Sequence, residues 1–255
     1  MNMIGDQTSN RIVKDLDLIM RLNASAEDDI QIIQEVTTDN PSSFNFYENE
    51  INDNEWILLD ENQGILISIE EFYPNNSWHQ MHELLQKENH YMPNIEDIVN
   101  MSRLLLENKA RYADGSPINS TEQKRIFNEI YEVRDPWRSE YVDARFEQRA
   151  DGLYILSNHI IKPDNSLKSM KEENLEDTLM KDKTPGIDLL SWLNDPNKHS
   201  LPKKNIKNGE YCYWFPRKDY VARFLAGSVR AYFYCYGDPQ VSNASLGVRK
   251  KILRK

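Results

Sequence analysis

Residues 221–237 read Val221-Ala222-Arg223-Phe224-Leu225-Ala226-Gly227-Ser228-Val229-Arg230-Ala231-Tyr232-Phe233-Tyr234-Cys235-Tyr236-Gly237. Side chains alternate with period two, the signature of strands whose faces differ. In the first half, Phe224, Ala226, Ser228 and Arg230 share one face, and Leu225, Gly227 and Val229 the other. In the second half, Ala231, Phe233 and Cys235 share one face, and Tyr232, Tyr234 and Tyr236 the other. A sheet covered on both sides would give the same pattern. The tyrosine row, however, runs into the polar loop Gly237-Asp238-Pro239-Gln240. Tyrosine offers a large contact area, a hydrogen-bonding tip and a low entropy cost, the properties that binding surfaces use.

Working outward, 211–215 and 246–249 read as further short strands, so the C-terminal quarter is dense in β structure. Upstream, 56–59 and 65–69 read as two strands across the 60–64 turn. Three helices are expected next. One spans 78–88 with Trp78, Met81 and Leu85 on one face. The second spans 95–108, capped by Asn94, with Glu96 and Asp97 complementing the dipole. The third opens on a capping box, Ser120-Thr121-Glu122-Gln123, and shows an apolar face of Ile126, Phe127, Ile130 and Tyr131. The charged stretch around Trp137 reads as a short amphipathic turn through Phe146, and 153–161 as a strand. Residues 162–208 are polar and punctuated by Pro163, Pro185, Pro196 and Pro202, with one short helix expected near 171–180. So long an irregular connection is often functional. Residues 11–36 read as a helix followed by an Asn-rich linker. The resulting expectation is α+β, with short antiparallel strands, flanking helices and long irregular loops. It divides into an N-terminal helical extension and linker, 1–50, and a domain over 51–255.

With 255 residues and 39% hydrophobic content, the chain can bury a sizeable core without staples. Its two cysteines, Cys212 and Cys235, exclude a disulfide scaffold, and no apolar run reaches the length of a membrane span. No secretory signal is legible at the N-terminus, so location is left open, with cell-surface display compatible. Net charge is −10, yet residues 203–255 hold twelve Lys or Arg against three acids. A basic segment folded against an acidic body is the favoured reading, with Lys250, Lys251, Arg254 and Lys255 as a solvated end. Arg134, Asp135, Arg138, Glu140, Asp143 and Arg145 read as an ion network bracing the fold.

Motifs for chemistry are sparse. His79, His82 and His90 invite a metal reading, but His82-Glu83-Leu84-Leu85-Gln86 lacks the second His of the zincin pattern, so polar positions on a helix are favoured. Asp114-Gly115-Ser116-Pro117 reads as a turn and not a calcium loop. No phosphate-binding glycine loop or nucleophile elbow occurs. Both cysteines sit in apolar strands, where a thiol is an inert core residue. Neither a metal nor a cofactor is expected.

The segments Tyr211-Cys212-Tyr213-Trp214-Phe215-Pro216-Arg217, Val221-Ala222-Arg223-Phe224, Ser228, Arg230-Ala231, Cys235, Pro239 and Ser245-Leu246-Gly247-Val248-Arg249 carry a resemblance. So do Asp114-Gly115-Ser116, Arg134-Asp135-Pro136-Trp137-Arg138-Ser139-Glu140 and Leu201-Pro202-Lys203-Lys204-Asn205-Ile206-Lys207. Together they resemble the variable proteins of archaeal diversity-generating retroelements, over roughly residues 75–255. Leu246-Gly247-Val248-Arg249 is also similar to the closing strand of C-type lectin folds, including formylglycine-generating enzymes.

The resemblance implies a C-type lectin-like domain over 51–255 with a variable region at about 211–249. In such systems a reverse transcriptase copies a template with errors at adenines, so Asn codons diversify. Changes in the first two bases never yield Lys, Glu, Gln, Met or Trp. The implied variable, ligand-binding positions are Tyr220, Leu225, Gly227, Val229, Tyr232, Tyr234, Tyr236, Gly237, Asp238, Val241, Asn243 and Ala244, and none is an excluded type. Phe224, Ala226, Phe233, Cys235, Leu246 and Val248 would form the supporting core, braced by Trp214, Arg223 and Arg230. The implied partner is an unidentified macromolecule, a protein or cell-surface component, and the protein is not an enzyme. Two alternatives stand beside this. One is an enzyme resembling the formylglycine-generating type, with Cys212 or Cys235 reactive. The other, disfavoured, is a nucleic-acid binder using the basic, aromatic C-terminus. A calcium-dependent lectin lacks its signatures, and Trp192-Leu193-Asn194-Asp195 is a near miss.

Overall fold

The computed structural model describes residues 51–254 apart from Gln63. The expected helix at 11–36 and its linker lie outside the described residues. Asn52–Lys255 forms a unit of its own. It opens with β1 (Trp56–Asp60) and β2 (Ile65–Ser68), followed by helices α1 (Trp78–Lys87), α2 (Ile95–Leu106) and α3 (Ser120–Tyr131). A long hairpin of β3 (Arg138–Arg149) and β4 (Gly152–Ile161) leads to β5 (Leu167–Asn174), β6 (Lys183–Ile187) and the short helix α4 (Leu189–Asn194). The C-terminal strands are β7 (Tyr211–Trp214), β8 (Val221–Ala226), β9 (Ala231–Gly237), β10 (Leu246–Val248) and β11 (Lys251–Leu253). The architecture is mixed α+β, dominated by sheet.

Among the described residues, two sheets form. The larger has the order β5-β4-β3-β8-β9-β7-β6, with β10 pairing in parallel to β3, and the smaller is β1-β2-β11. Strand β8 runs antiparallel to both β3 and β9, and β7 runs parallel to β9. The main core holds Val142, Ala144 and Phe146 of β3, Phe224, Phe233 and Cys235, and residues from α2, α3 and α4. Trp192 of α4 is fully buried and stacks on Phe233 at 4.8 Å between ring centres. A second core lies on the opposite side of β3. There Trp78, Met81 and Leu85, the expected apolar face of α1, pack against Tyr141, Val221, Leu246 and Val248.

Local signals explain the helices. Asn94 caps α2 as expected, accepting from Asp97 N at 3.0 Å while the Asp97 carboxylate accepts from Asn94 N at 2.8 Å. Helix α3 starts one step earlier than the Ser120 box implies. Asn119 is its cap, accepting from Glu122 N at 2.9 Å, and Ser120 is the first helical residue. Asp114 and Ser116 make the expected turn, with Ser116 N donating to Asp114 Oδ1 at 2.8 Å.

Three expectations are corrected. The amphipathic turn through Phe146 is instead the twelve-residue strand β3, near the centre of the large sheet. Charge along it hid the strand, because Glu140 and Asp143 are met by polar partners remote in sequence. The helix near 171–180 is strand β5, held in register against β4 from Leu167↔Ile161 to Asn174↔Tyr154. It is a charged edge strand, a composition that discourages edge-to-edge association. The basic C-terminal end is solvated only in part: Arg254 is exposed as expected and Lys255 lies outside the described residues, but Lys250 and Lys251 are held against the fold. Lys251 is buried with Nζ 2.8 Å from Asp97 Oδ2, and Lys250 Nζ lies 4.1 Å from the Phe72 ring centre. The basic segment does fold against an acidic body, as favoured.

Arg249 shows that most plainly. It is 1% exposed, lies between β10 and β11, and sits 2.9 Å by Nε from Glu140 Oε2 on β3. Its Nη1 donates to the carbonyls of Ser68 and Ile69 at the end of β2. One side chain therefore joins the two sheets. In the expected bracing network Glu140 and Asp143 are buried, Arg138 pairs with Glu71 at 3.3 Å, and Arg134, Asp135 and Arg145 are exposed.

Removing the guanidinium would leave Glu140 buried and unpaired. Arg249→Ala is expected to cost about 3–5 kcal/mol in urea unfolding. A loss under about 1 kcal/mol would show that the pair does not brace the sheets. Burial and the Glu140 carboxylate push Glu71 up to about 8. A carboxyl with a raised folded pKa stabilises fully below its unfolded pKa and loses that contribution as pH rises towards 8. Glu71→Gln is therefore expected to flatten the decline of melting temperature between pH 5 and 8, in a range where wild type falls.

Candidate binding face

Strand β9 shows the alternation read from the sequence. Ala231, Phe233 and Cys235 point into the core, while Tyr232, Tyr234 and Tyr236 are half-buried on the other side. Registry with the neighbours extends that row. Leu225 pairs with Tyr232, Arg223 with Tyr234, and Trp214 of β7 with Tyr234 from the other flank. Leu225 is half-buried, whereas Phe224 and Ala226 beside it are buried. The expected supporting core, Phe224, Ala226, Phe233, Cys235, Leu246 and Val248, is buried throughout.

The rings touch one another. Tyr234 and Tyr236 have centroids 4.3 Å apart, Trp214 meets Tyr236 edge-on at 5.4 Å, and Tyr220 meets Tyr236 edge-on at 5.9 Å. Two arginines lie on the same surface. Arg217 stands 4.1 Å over Tyr236 and is anchored by Asp182 at 2.7 Å, and Arg223 stands 4.9 Å over Tyr234. Such cation–π contacts add about 0.5–1 kcal/mol each at exposed sites. Burial, with Tyr236 alongside, pushes the Tyr234 phenol up to about 12. The phenol stays protonated over the physiological range and can both donate and accept. The surface is thus aromatic and cationic, with polar tips.

Each implied variable position can be placed. Tyr220, Leu225, Tyr232, Tyr234 and Tyr236 are gathered on one sheet surface. Val229 is 77% exposed at the tip of the β8–β9 hairpin. Asp238, Val241, Asn243 and Ala244 are exposed on the following loop, beyond the strands. That loop is held by its backbone. Tyr141 Oη donates to Asp238 O at 2.7 Å, Trp78 N to Pro239 O at 3.0 Å, and Asn75 N to Asn243 O at 3.0 Å. Main-chain anchorage leaves most of these side chains replaceable. Asn243 also accepts from Ser245 N at 2.8 Å through its side chain. The two glycines differ from the rest. Both are buried, and a Cβ on Gly227 would fall 2.6 Å from Arg230 O. A larger residue there requires the hairpin turn to shift. At Gly237 the nearest atom to a Cβ would be Val221 O at 3.1 Å, a tight but smaller demand.

Several participants were not assigned to the surface by sequence. Trp214 and Arg223, expected as braces, lie on the aromatic surface itself, and Arg230 is exposed. Arg217 belongs there as well, and its spacing from Tyr236 gives no local signal. Cys235 lies in the core, where burial raises its thiol pKa, and Cys212 is buried with Sγ 2.9 Å from Pro185 O. A separate group escaped the sequence reading: His82 of α1, Asp143 of β3 and His159 of β4 converge in the second core. No family model matches the chain, and comparisons with curated proteins and with solved structures found no match.

If the core face alone sets stability, the two sides of β9 must respond differently. Phe233→Ala is expected to cost about 3–5 kcal/mol. Tyr232→Ser and Tyr234→Ser should each cost about 1 kcal/mol or less, since substitutions away from the core are mild. Chemical denaturation checks this, and equal losses on both faces would contradict the division.

Proposed function

We propose that the chain is a ligand-binding variable protein of a diversity-generating retroelement. It would display interchangeable side chains from a C-type lectin-like scaffold to a protein or another macromolecular target, such as a cell-surface component. The observation that carries this reading is the two-sided strand β9, whose Phe233 and Cys235 are sealed in the core while Tyr232, Tyr234 and Tyr236 line an outer aromatic surface. A site that tolerates many side chains needs a backbone fixed by other residues. Here β9 is flanked on both sides by strands, and the next loop is anchored through its carbonyls. The absence of excluded residue types at the twelve positions fits the same reading.

The surface suits macromolecular recognition. Aromatic residues and arginine are the side chains that dominate protein interfaces, because they bury large area while retaining polar contacts. The enzymatic alternative would need an accessible thiolate, and the burial of both cysteines favours binding over it.

The test is genomic. The coding sequence should lie near a reverse-transcriptase gene and a near-copy of the codons for residues 211–249 that differs at adenines. A locus with neither would overturn the assignment. Within the near-copy, codons for Phe224, Phe233 and Cys235 should be unchanged, and those for Tyr232, Tyr234 and Tyr236 should be Asn codons.

A further inference from the structure

We propose that His82, Asp143 and His159 form a buried three-donor site for a late first-row divalent cation, represented by Zn2+, that ties α1 to β3 and β4. Their ligand atoms all lie within 4.8 Å of one another, and all three residues are buried. His82 Nε2 is 3.8 Å from Asp143 Oδ1. That nitrogen has no hydrogen-bond partner, although His82 is only 4% exposed. His159 Nδ1 contacts the same Asp143 oxygen, and His159 N donates to Asp143 Oδ2 at 2.8 Å, which orients the carboxylate.

The donor set selects the ion. Two imidazoles and one carboxylate suit Zn2+, Co2+ or Ni2+, whereas Ca2+ and Mg2+ prefer all-oxygen shells. An ion about 2.1 Å from each donor spaces those donors by about 3.4 Å, within reach of the present arrangement after small side-chain adjustments. His82 Nε2, buried and unpaired, is the donor of the set left free to take an ion. Metal ions bind imidazole and carboxylate in their deprotonated forms, so uptake of the ion competes with protons. It also gives His82 Nε2 the partner it lacks.

The placement has a structural use. Trp78, four residues before His82, has its ring 4.4 Å from that imidazole and 5.0 Å from His159. The same residue donates its main-chain N–H to Pro239 O in the loop that carries Asp238 and Val241. An ion at this site would fix α1 and, through it, the base of that loop.

The experiment uses the full-length chain freed of any affinity tag, stripped with chelator and dialysed against Zn2+. All five histidines and both cysteines lie outside residues 1–50, so the soft donors that compete can be checked individually. The expected result is one Zn2+ per chain by elemental analysis. A melting temperature raised by about 5–10 °C is expected at a hundredfold excess over Kd. Co2+ should give the visible absorption of a tetrahedral nitrogen- and oxygen-ligated ion and quench tryptophan emission. His82→Asn and His159→Asn should lose both the ion and the thermal gain, while His79→Gln keeps them. Wild type that binds no stoichiometric ion overturns the proposal, as does retention of ion and thermal gain in both asparagine variants. Should a variant fail to fold, wild-type stoichiometry and the Co2+ spectrum decide alone.

Discussion

A guanidinium can stay in a protein interior only if acceptors meet it there, and Arg249 meets them on two sheets at once. Its ion pair with Glu140 fixes the chain end to the central strand β3, and its donation to the Ser68 and Ile69 carbonyls fixes the same residue to β2. Strands β10 and β11, on either side of Arg249, join different sheets. The side chain therefore marks the point where the chain passes from one sheet to the other. Buried pairs of this kind gain little over apolar replacements but are costly to break. Their effect is to specify one arrangement, because any slip of β10 along β3 would strand a charge.

That arrangement leaves β8 and β9 supported from behind by α3, α4 and the aromatic core. Their outer side chains then carry little of the fold. The tyrosines nevertheless contact one another and two arginines, so the surface is pre-ordered. Pre-ordering lowers the entropy that a partner must overcome on binding. Gly227 marks the limit of this freedom, since its Cβ position is taken by backbone.

The stretch 221–237 was legible because period-two alternation depends only on neighbours along the chain. The same holds for the Asn94 cap and the apolar face of α1, which are encoded within a few residues. Strands β3 and β5 were not legible. Their sequences carry charges that look solvated until Arg249, His159 and β4 are placed beside them. The His82, Asp143 and His159 group escaped for a related reason. Its members come from three elements, and His82 by itself is one polar residue on an amphipathic helix.

Sequence alone determined the local periods: which residues of β8 and β9 share a face, where α2 begins, and that the basic C-terminal segment needs acidic company. Only the tertiary structure decided which acids supply that company, which residues share the tyrosine surface, and which histidines converge. The reason is physical. Backbone geometry sets side-chain direction one residue at a time, whereas charge pairing and ring contact depend on distances between segments that the chain brings together only on folding.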